Sequence, residues 1–134
     1  MVSSSNEGVD AIMSLNHINL TVADVSANRA FFETYFAFRC IGERGRNALV
    51  VLVDESGFVL TLNNFDKAIE VTYPASFHVG FIQRQREQVD EIHARMEADG
   101  LAPEKPREFH GAWTFYIKAP GGYLVEVLHM SGFG

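Results

Sequence analysis

The chain has 134 residues, of which 47% are hydrophobic, and this composition is sufficient for one globular domain with a buried core. Its formal net charge of −6 argues against nucleic acid as a partner, because phosphate binding needs a basic surface. No apolar run approaches the length of a membrane span. The single cysteine, Cys40, excludes an internal disulfide and is typical of a protein of the reducing cytoplasm.

The first half of the chain contains a polar stretch followed by a strand, a helix and three strands. Residues 1–12 are expected to form a disordered extension ahead of the fold. A strand opens at His17, and the helix that follows begins after Asp24 or Ser26, either of which can cap it, and runs to about Phe36. Three strands are then predicted around residues 39–44, 47–53 and 58–63.

The second half repeats this order of elements. A strand opens at His78, and the next helix has Val89, Ile92 and Met96 as its apolar stripe, with Gly100 where a C-terminal cap belongs. Three more strands are predicted around residues 104–109, 112–118 and 122–129. The duplication therefore predicts two βαβββ modules, about residues 13–65 and 74–130, within one domain that spans residues 13–134.

Two histidines and one glutamate stand at related positions in the two copies. His17 and His78 open their strands, and Glu126 follows a glycine in the closing strand of the second copy. Duplicated modules tend to pack about a pseudo-two-fold axis, which would bring these three side chains together. Two imidazoles and a carboxylate are a metal-binding set, so we expect one divalent ion, either Fe, Mn, Ni, Co or Zn.

Further polar residues are expected around this site because strand alternation places them on the same side. Tyr116 shares a face with Thr114, and His110 lies in the loop beside that strand. Tyr116 and His110 are therefore the candidates for proton transfer, and histidine is the side chain that titrates near neutral pH. The alternative is that both residues are structural: Tyr116 would only pack in the sheet, and His110 would be a solvated loop residue. The expected pocket lining is Asn19, Thr61, Asn63, Trp113 and Thr114.

This pattern resembles the vicinal oxygen chelate superfamily, which includes glyoxalase I, fosfomycin-resistance transferases, extradiol dioxygenases and bleomycin-resistance proteins. The resemblance covers about residues 13–130. It implies an α+β fold in which two βαβββ modules pair into a half-open, U-shaped sheet with the helices on its outer side. It also implies that His17 and His78 match the histidine ligands of a divalent metal and that Glu126 matches the carboxylate ligand.

The sequence does not assign the chain to one branch of this superfamily. Glyoxalase I would place a second glutamate at Thr61, whereas three ligands match extradiol dioxygenases and fosfomycin transferases. Tyr116 lies ten residues before Glu126, the spacing of an active-site tyrosine in extradiol enzymes. We expect a metal-dependent enzyme of the lyase or isomerase, dioxygenase or transferase type, acting on a small oxygen-chelating molecule. The alternative is a metal-free protein of the bleomycin-resistance kind that binds a drug or another small molecule.

A homodimer is also expected. One U-shaped sheet of paired modules leaves strand edges and an open cleft that a second copy would cover. The resemblance implies the same assembly, sometimes with ligands from both chains. His17 would then meet His78 and Glu126 of a second chain rather than of its own.

Overall fold

The computed structural model describes residues 13–131, which form two helices and eight strands. The predicted disordered extension, residues 1–12, lies outside the described residues. Neither helix in residues 13–131 combines the length and the apolar content that crossing a bilayer requires.

The first module forms a four-stranded sheet with one helix. Its elements are β1 (His17–Thr21), α1 (Val25–Phe36), β2 (Arg39–Arg44), β3 (Leu49–Val53) and β4 (Val59–Asn63). The strand order is β1-β4-β3-β2, with β1 parallel to β4 and the other pairs antiparallel. Asp24 caps α1 by accepting a hydrogen bond from the Ala27 amide, as its position in the sequence predicts.

The second module repeats this topology. Its elements are β5 (His78–Ile82), α2 (Arg86–Ala98), β6 (Arg107–Phe109), β7 (Ala112–Lys118) and β8 (Leu124–His129), in the strand order β5-β8-β7-β6. Two strands are shorter than predicted. β6 starts only after Pro106, which has no N–H to donate, and β8 starts after a turn in which Gly121 and Gly122 have positive φ.

Each sheet has one face covered by its helix and one face without a helix, which we call the helix-free face. In β1, Leu20 is buried on the covered side, while the neighbouring Asn19 is exposed on the other. In β7, Phe115 and Ile117 are likewise buried beneath α2, opposite Tyr116. The predicted α+β fold of two βαβββ modules with open sheets is confirmed, and among residues 13–131 no strand pairing joins the two sheets.

The two modules contact each other through α1. The rings of Phe36 and Phe81 stack with centroids 4.0 Å apart, and both belong to the hydrophobic core or pack against it. The amide of Asn28, a fully buried residue, accepts a hydrogen bond from the Tyr123 hydroxyl and donates one to the Pro120 carbonyl. Because these contacts fix α1 against the β7–β8 turn, they set the relative positions of the two sheets.

Candidate metal centre

Glu126 is the centre of a polar cluster on the helix-free face of the second sheet. It lies in the middle of β8, paired with Gly80 of β5 and Tyr116 of β7, and only 4% of it is exposed. Its Oε2 atom accepts a hydrogen bond from the Thr114 hydroxyl at 2.7 Å and lies 3.0 Å from Nε2 of His110. A buried carboxylate is costly without such partners, so this arrangement holds Glu126 in one orientation.

His110 reaches Glu126 because of a two-residue turn between β6 and β7. His110 and Gly111 both have positive φ, 44° and 83°, and the pair Phe109–Ala112 closes the hairpin. Positive φ at both central residues is typical of a type I′ turn, which matches the twist of antiparallel strands. The His-Gly dipeptide was the only sequence signal for this placement.

Tyr116 lies beside two histidines, His110 and His78. Its hydroxyl is 3.5 Å from Nε2 of His110, and its ring meets the ring of His78 edge-on at 5.6 Å. Burial, and after it the charge of the neighbouring Glu126 carboxylate, raise the pKa of the Tyr116 hydroxyl above its ordinary value. The hydroxyl is therefore protonated at neutral pH and is available as a donor.

His78 presents a ring nitrogen to the same carboxylate. Its Nδ1 atom is 2.9 Å from the carbonyl oxygen of Ser76, which can only accept a hydrogen bond, so Nδ1 carries the proton. In the neutral imidazole Nε2 then bears a lone pair, and it lies 3.5 Å from Oε1 of Glu126. Two acceptors that face each other need a proton or a metal ion between them. The Ser76 carbonyl was not predicted, because a backbone acceptor carries no sequence signal.

His17 lies on the other sheet, at the start of β1. Its Nδ1 atom is 2.8 Å from Oδ1 of the adjacent Asn16, and the side chain is exposed. Within residues 13–131, no group of three His, Cys, Asp or Glu side chains is arranged to hold a metal ion. The chain thus brings His78, Glu126 and His110 together, whereas His17 lies on the other sheet and makes no hydrogen bond or ion pair with them among the described residues.

The predicted lining residues fall into two groups. On the first sheet, Oδ1 of Asn19 accepts hydrogen bonds from the Thr61 hydroxyl at 2.7 Å and from the Asn63 amide at 2.8 Å. The pair Asn19–Thr61 is the counterpart of Gly80–Glu126 in the second sheet. Trp113, in contrast, lies on the helix-covered face, where its indole N–H donates to Asp90 of α2 at 2.9 Å.

A separate cavity of about 910 Å³ lies between the modules along the free edge of β5. Its wall is mainly apolar and includes Ile18, Leu20, Phe36 and Phe81. His78 also borders it, whereas Glu126, His110 and Tyr116 do not. The cavity and the polar cluster therefore share one histidine but are distinct surfaces.

Comparison with known proteins finds a family and solved structures that match most of this chain. The model of the Glyoxalase/Bleomycin resistance protein/Dioxygenase superfamily matches residues 14–127. A possible glyoxalase from Bacillus cereus is 50% identical in sequence, with a TM-score of 0.79 over 87% of this chain and 99% of that chain.

Two more distant structures share the fold. Lactoylglutathione lyase from Agrobacterium tumefaciens is 22% identical, with a TM-score of 0.73 over 90% of this chain and 97% of that chain. A genomically encoded fosfomycin resistance protein from Listeria monocytogenes is 24% identical, with a TM-score of 0.70 over 90% and 96% of the two chains. At these identities the likeness shows the fold alone.

Proposed function

Since the chain belongs to the Glyoxalase/Bleomycin resistance protein/Dioxygenase superfamily, we propose that it is a divalent-metal-dependent enzyme acting on a small oxygen-chelating molecule. The observation that carries the proposal is the pair formed by His78 and Glu126. Nε2 of His78, the ring nitrogen that is not held by the Ser76 carbonyl, faces a carboxylate oxygen at 3.5 Å, and a divalent cation would bind both atoms.

Three residues would hold the ion: His78 and Glu126 of one chain and His17 of a second chain. The support for the shared site is that His17 lies on a different sheet from Glu126 within the chain. β1 and β5 are also edge strands in their sheets, and unpaired strand edges favour association with another copy. Two imidazoles and one carboxylate suit Fe, Mn, Ni, Co or Zn and leave positions open for a substrate.

The residues around the ion have separate tasks. When bound, the metal supplies Lewis-acid polarisation of the substrate oxygens. Tyr116, protonated at neutral pH, donates a proton to the reacting molecule, and His110 exchanges protons with the Tyr116 hydroxyl 3.5 Å away. Thr114 keeps the Glu126 carboxylate oriented, and Asn19 with its hydroxyl and amide partners provides hydrogen bonds from the first sheet.

A metal-free binding protein of the bleomycin-resistance kind is the second candidate. The apolar cavity of about 910 Å³ favours it, because its size and lining suit an aromatic or aliphatic ligand. The enzyme proposal ranks first because the polar cluster, which a binding protein does not need, is intact. In either case Cys40, the only cysteine, fits action in the reducing cytoplasm.

Metal analysis of protein purified without chelators tests the proposal. The enzyme proposal predicts a bound divalent ion, or stoichiometric binding in titrations with Mn, Fe(II), Ni, Co and Zn. Screening of catechols, the methylglyoxal–glutathione hemithioacetal and fosfomycin then addresses the reaction. Protein that binds none of the five ions and takes up an aromatic ligand would support the binding protein instead.

A further inference from the structure

A smaller cavity lies at one end of the first sheet. Its volume of about 490 Å³ is within the range of small-molecule sites. The turn between β2 and β3 and the loop after β4 form its walls, which comprise Arg46, Asn47, Ala48, Asn64, Phe65, Lys67 and Ala68. His17 pairs with Val59 at the start of β4, and Asn64 follows the end of that strand, so about 16 Å of strand separate the cavity from His17. The cavity is therefore distinct from the candidate metal centre.

Two asparagine side chains hold the walls of this cavity in place. Asn64, of which only 4% is exposed, donates hydrogen bonds to the carbonyl oxygens of Ala23 and Ala68 and accepts one from the Ala68 amide. Asn47 donates to the same Ala23 carbonyl at 2.9 Å and accepts from the Val25 amide at 2.8 Å. Because both loops are tied to one carbonyl oxygen, the cavity is formed before a ligand binds, which lowers the cost of binding.

Lys67 has a backbone conformation that lysine rarely adopts. Its φ is 55°, in the left-handed region that favours glycine. A lysine at this position therefore costs conformational free energy that a glycine would not. Residues in such conformations cluster at functional sites, where the site needs the side chain that they carry.

Two cations and one aromatic ring line the cavity. Within residues 13–131, neither Arg46 nor Lys67 lies at ion-pair distance from a carboxylate. Asp66, the only carboxylate in residues 45–48 and 64–68, does not line the cavity. Phe65 is 60% exposed, so much of its ring is open to a ligand. In a chain with a net charge of −6, these residues form a local concentration of positive charge beside an accessible aromatic side chain.

We propose that this cavity is an accessory binding site for a small aromatic anion. Arg46 and Lys67 attract the anionic group and form charge-assisted hydrogen bonds with its carboxylate or phosphoryl oxygens. Phe65 contacts the aromatic ring in an offset-stacked or edge-to-face arrangement, which aromatic pairs prefer. The site needs no metal ion, so it exists whether or not the chain is a metal-dependent enzyme.

NMR titration of the full chain, with no metal added, tests the site with benzoate and phenyl phosphate as probes. Amide signals of residues 45–48 and 64–68 should shift with at least one of them, and the probe that binds identifies the anionic group that the site accepts. Benzyl alcohol, which lacks the charge, and cyclohexanecarboxylate, which lacks the aromatic ring, should each bind at least about tenfold more weakly. The difference from benzyl alcohol should shrink at high salt, because exposed charges are screened.

Lys67→Gly is the sharpest variant, because it removes the charge and the unfavourable φ together. Affinity for the probe should fall about threefold or more, while the free energy of unfolding does not fall. Arg46→Gln should weaken binding to a similar extent. Lys105→Gln is the matched control, because it removes an exposed charge outside the cavity, in the segment before β6, and it should keep the wild-type affinity.

Four results would each overturn the inference. They are no binding of either anionic probe at millimolar concentration, equal affinity for charged and uncharged probes, signal shifts confined to β5 and β8, and equal losses in the cavity variants and the control. Since no metal enters the titration, each of these results is separate from failure of the proposed metal site.

Discussion

Nε2 of His78 faces Oε1 of Glu126 at 3.5 Å, while Nδ1 of the same ring is held 2.9 Å from the Ser76 carbonyl. This relationship fixes the tautomer as well as the position of the imidazole. The nitrogen that is turned toward the carboxylate is Nε2, which has no backbone hydrogen-bond partner among the described contacts. His78 and Glu126 thus lie in the relative position that the proposed metal site requires.

We predict that His17, His78 and Glu126 act as one metal site. His17→Ala, His78→Ala and Glu126→Gln should each lower metal affinity by at least about tenfold, or about 1.4 kcal/mol, because each removes one ligand. Calorimetric titration with the preferred ion measures the effect. Thr61→Ala is the control, since its hydroxyl is already hydrogen-bonded to Asn19, and it should change metal affinity much less. Equal metal binding by the wild type and all three ligand variants would contradict a metal site at these residues.

The Tyr116 hydroxyl is predicted to serve in catalysis. Tyr116→Phe keeps the aromatic packing and removes only the proton donor, so turnover should fall about a hundredfold, or about 2.7 kcal/mol, while metal content and fold persist. Steady-state kinetics on a substrate found in the screen checks this. Unchanged kinetics would exclude the tyrosine and make His110, 3.0 Å from Glu126, the next residue to replace.

A third prediction concerns the contact between the modules. Tyr123→Phe leaves the buried Asn28 amide oxygen without its donor, which should lower the free energy of unfolding by about 1–3 kcal/mol. Denaturant titration measures this, and Tyr116→Phe, on the helix-free face, should change stability by less than about 0.5 kcal/mol. A similar small effect of both substitutions would show that the hydrogen bond does not hold the modules together.

The same tyrosine predicts how stability depends on pH. Burial raises the pKa of the Tyr123 hydroxyl far above its ordinary value of about 10, so the unfolded chain loses this proton more readily than the folded one. The contribution of Tyr123 is complete below about pH 10 and is lost as the pH rises beyond it. The wild type should therefore lose more stability than Tyr123→Phe between neutral pH and about pH 11, measured by denaturant titration at each pH. Parallel losses in the two proteins would contradict this sign.

Local sequence patterns predicted most of the elements but not the arrangement of the modules. Alternation predicted the bounds of the strands at residues 39–44 and 112–118 and placed Tyr116 on the face of Glu126. His17 and Glu126 lie on different sheets, and the packing of these sheets depends on contacts such as that of Asn28 with Tyr123, which join residues distant in sequence and leave no periodic pattern. The contact of His110 with Glu126 depends on the conformation of a single two-residue turn.

A metal site shared between two chains is tested most directly by mixing two variants that each lack one proposed ligand. His17→Ala and Glu126→Gln are each prepared alone, denatured together, refolded and titrated with the metal ion. If the ligands come from two chains, a mixed dimer contains one site with both substitutions and one site that is intact. We predict that tight metal binding, absent from either variant refolded alone, returns in the mixture.

Sedimentation should show particles of twice the 15.0 kDa chain mass for the mixture and for each variant refolded alone. A mixture that binds metal no better than the separate variants, or a monomer at micromolar concentration, would contradict a site built from His17 of one chain and His78 and Glu126 of another.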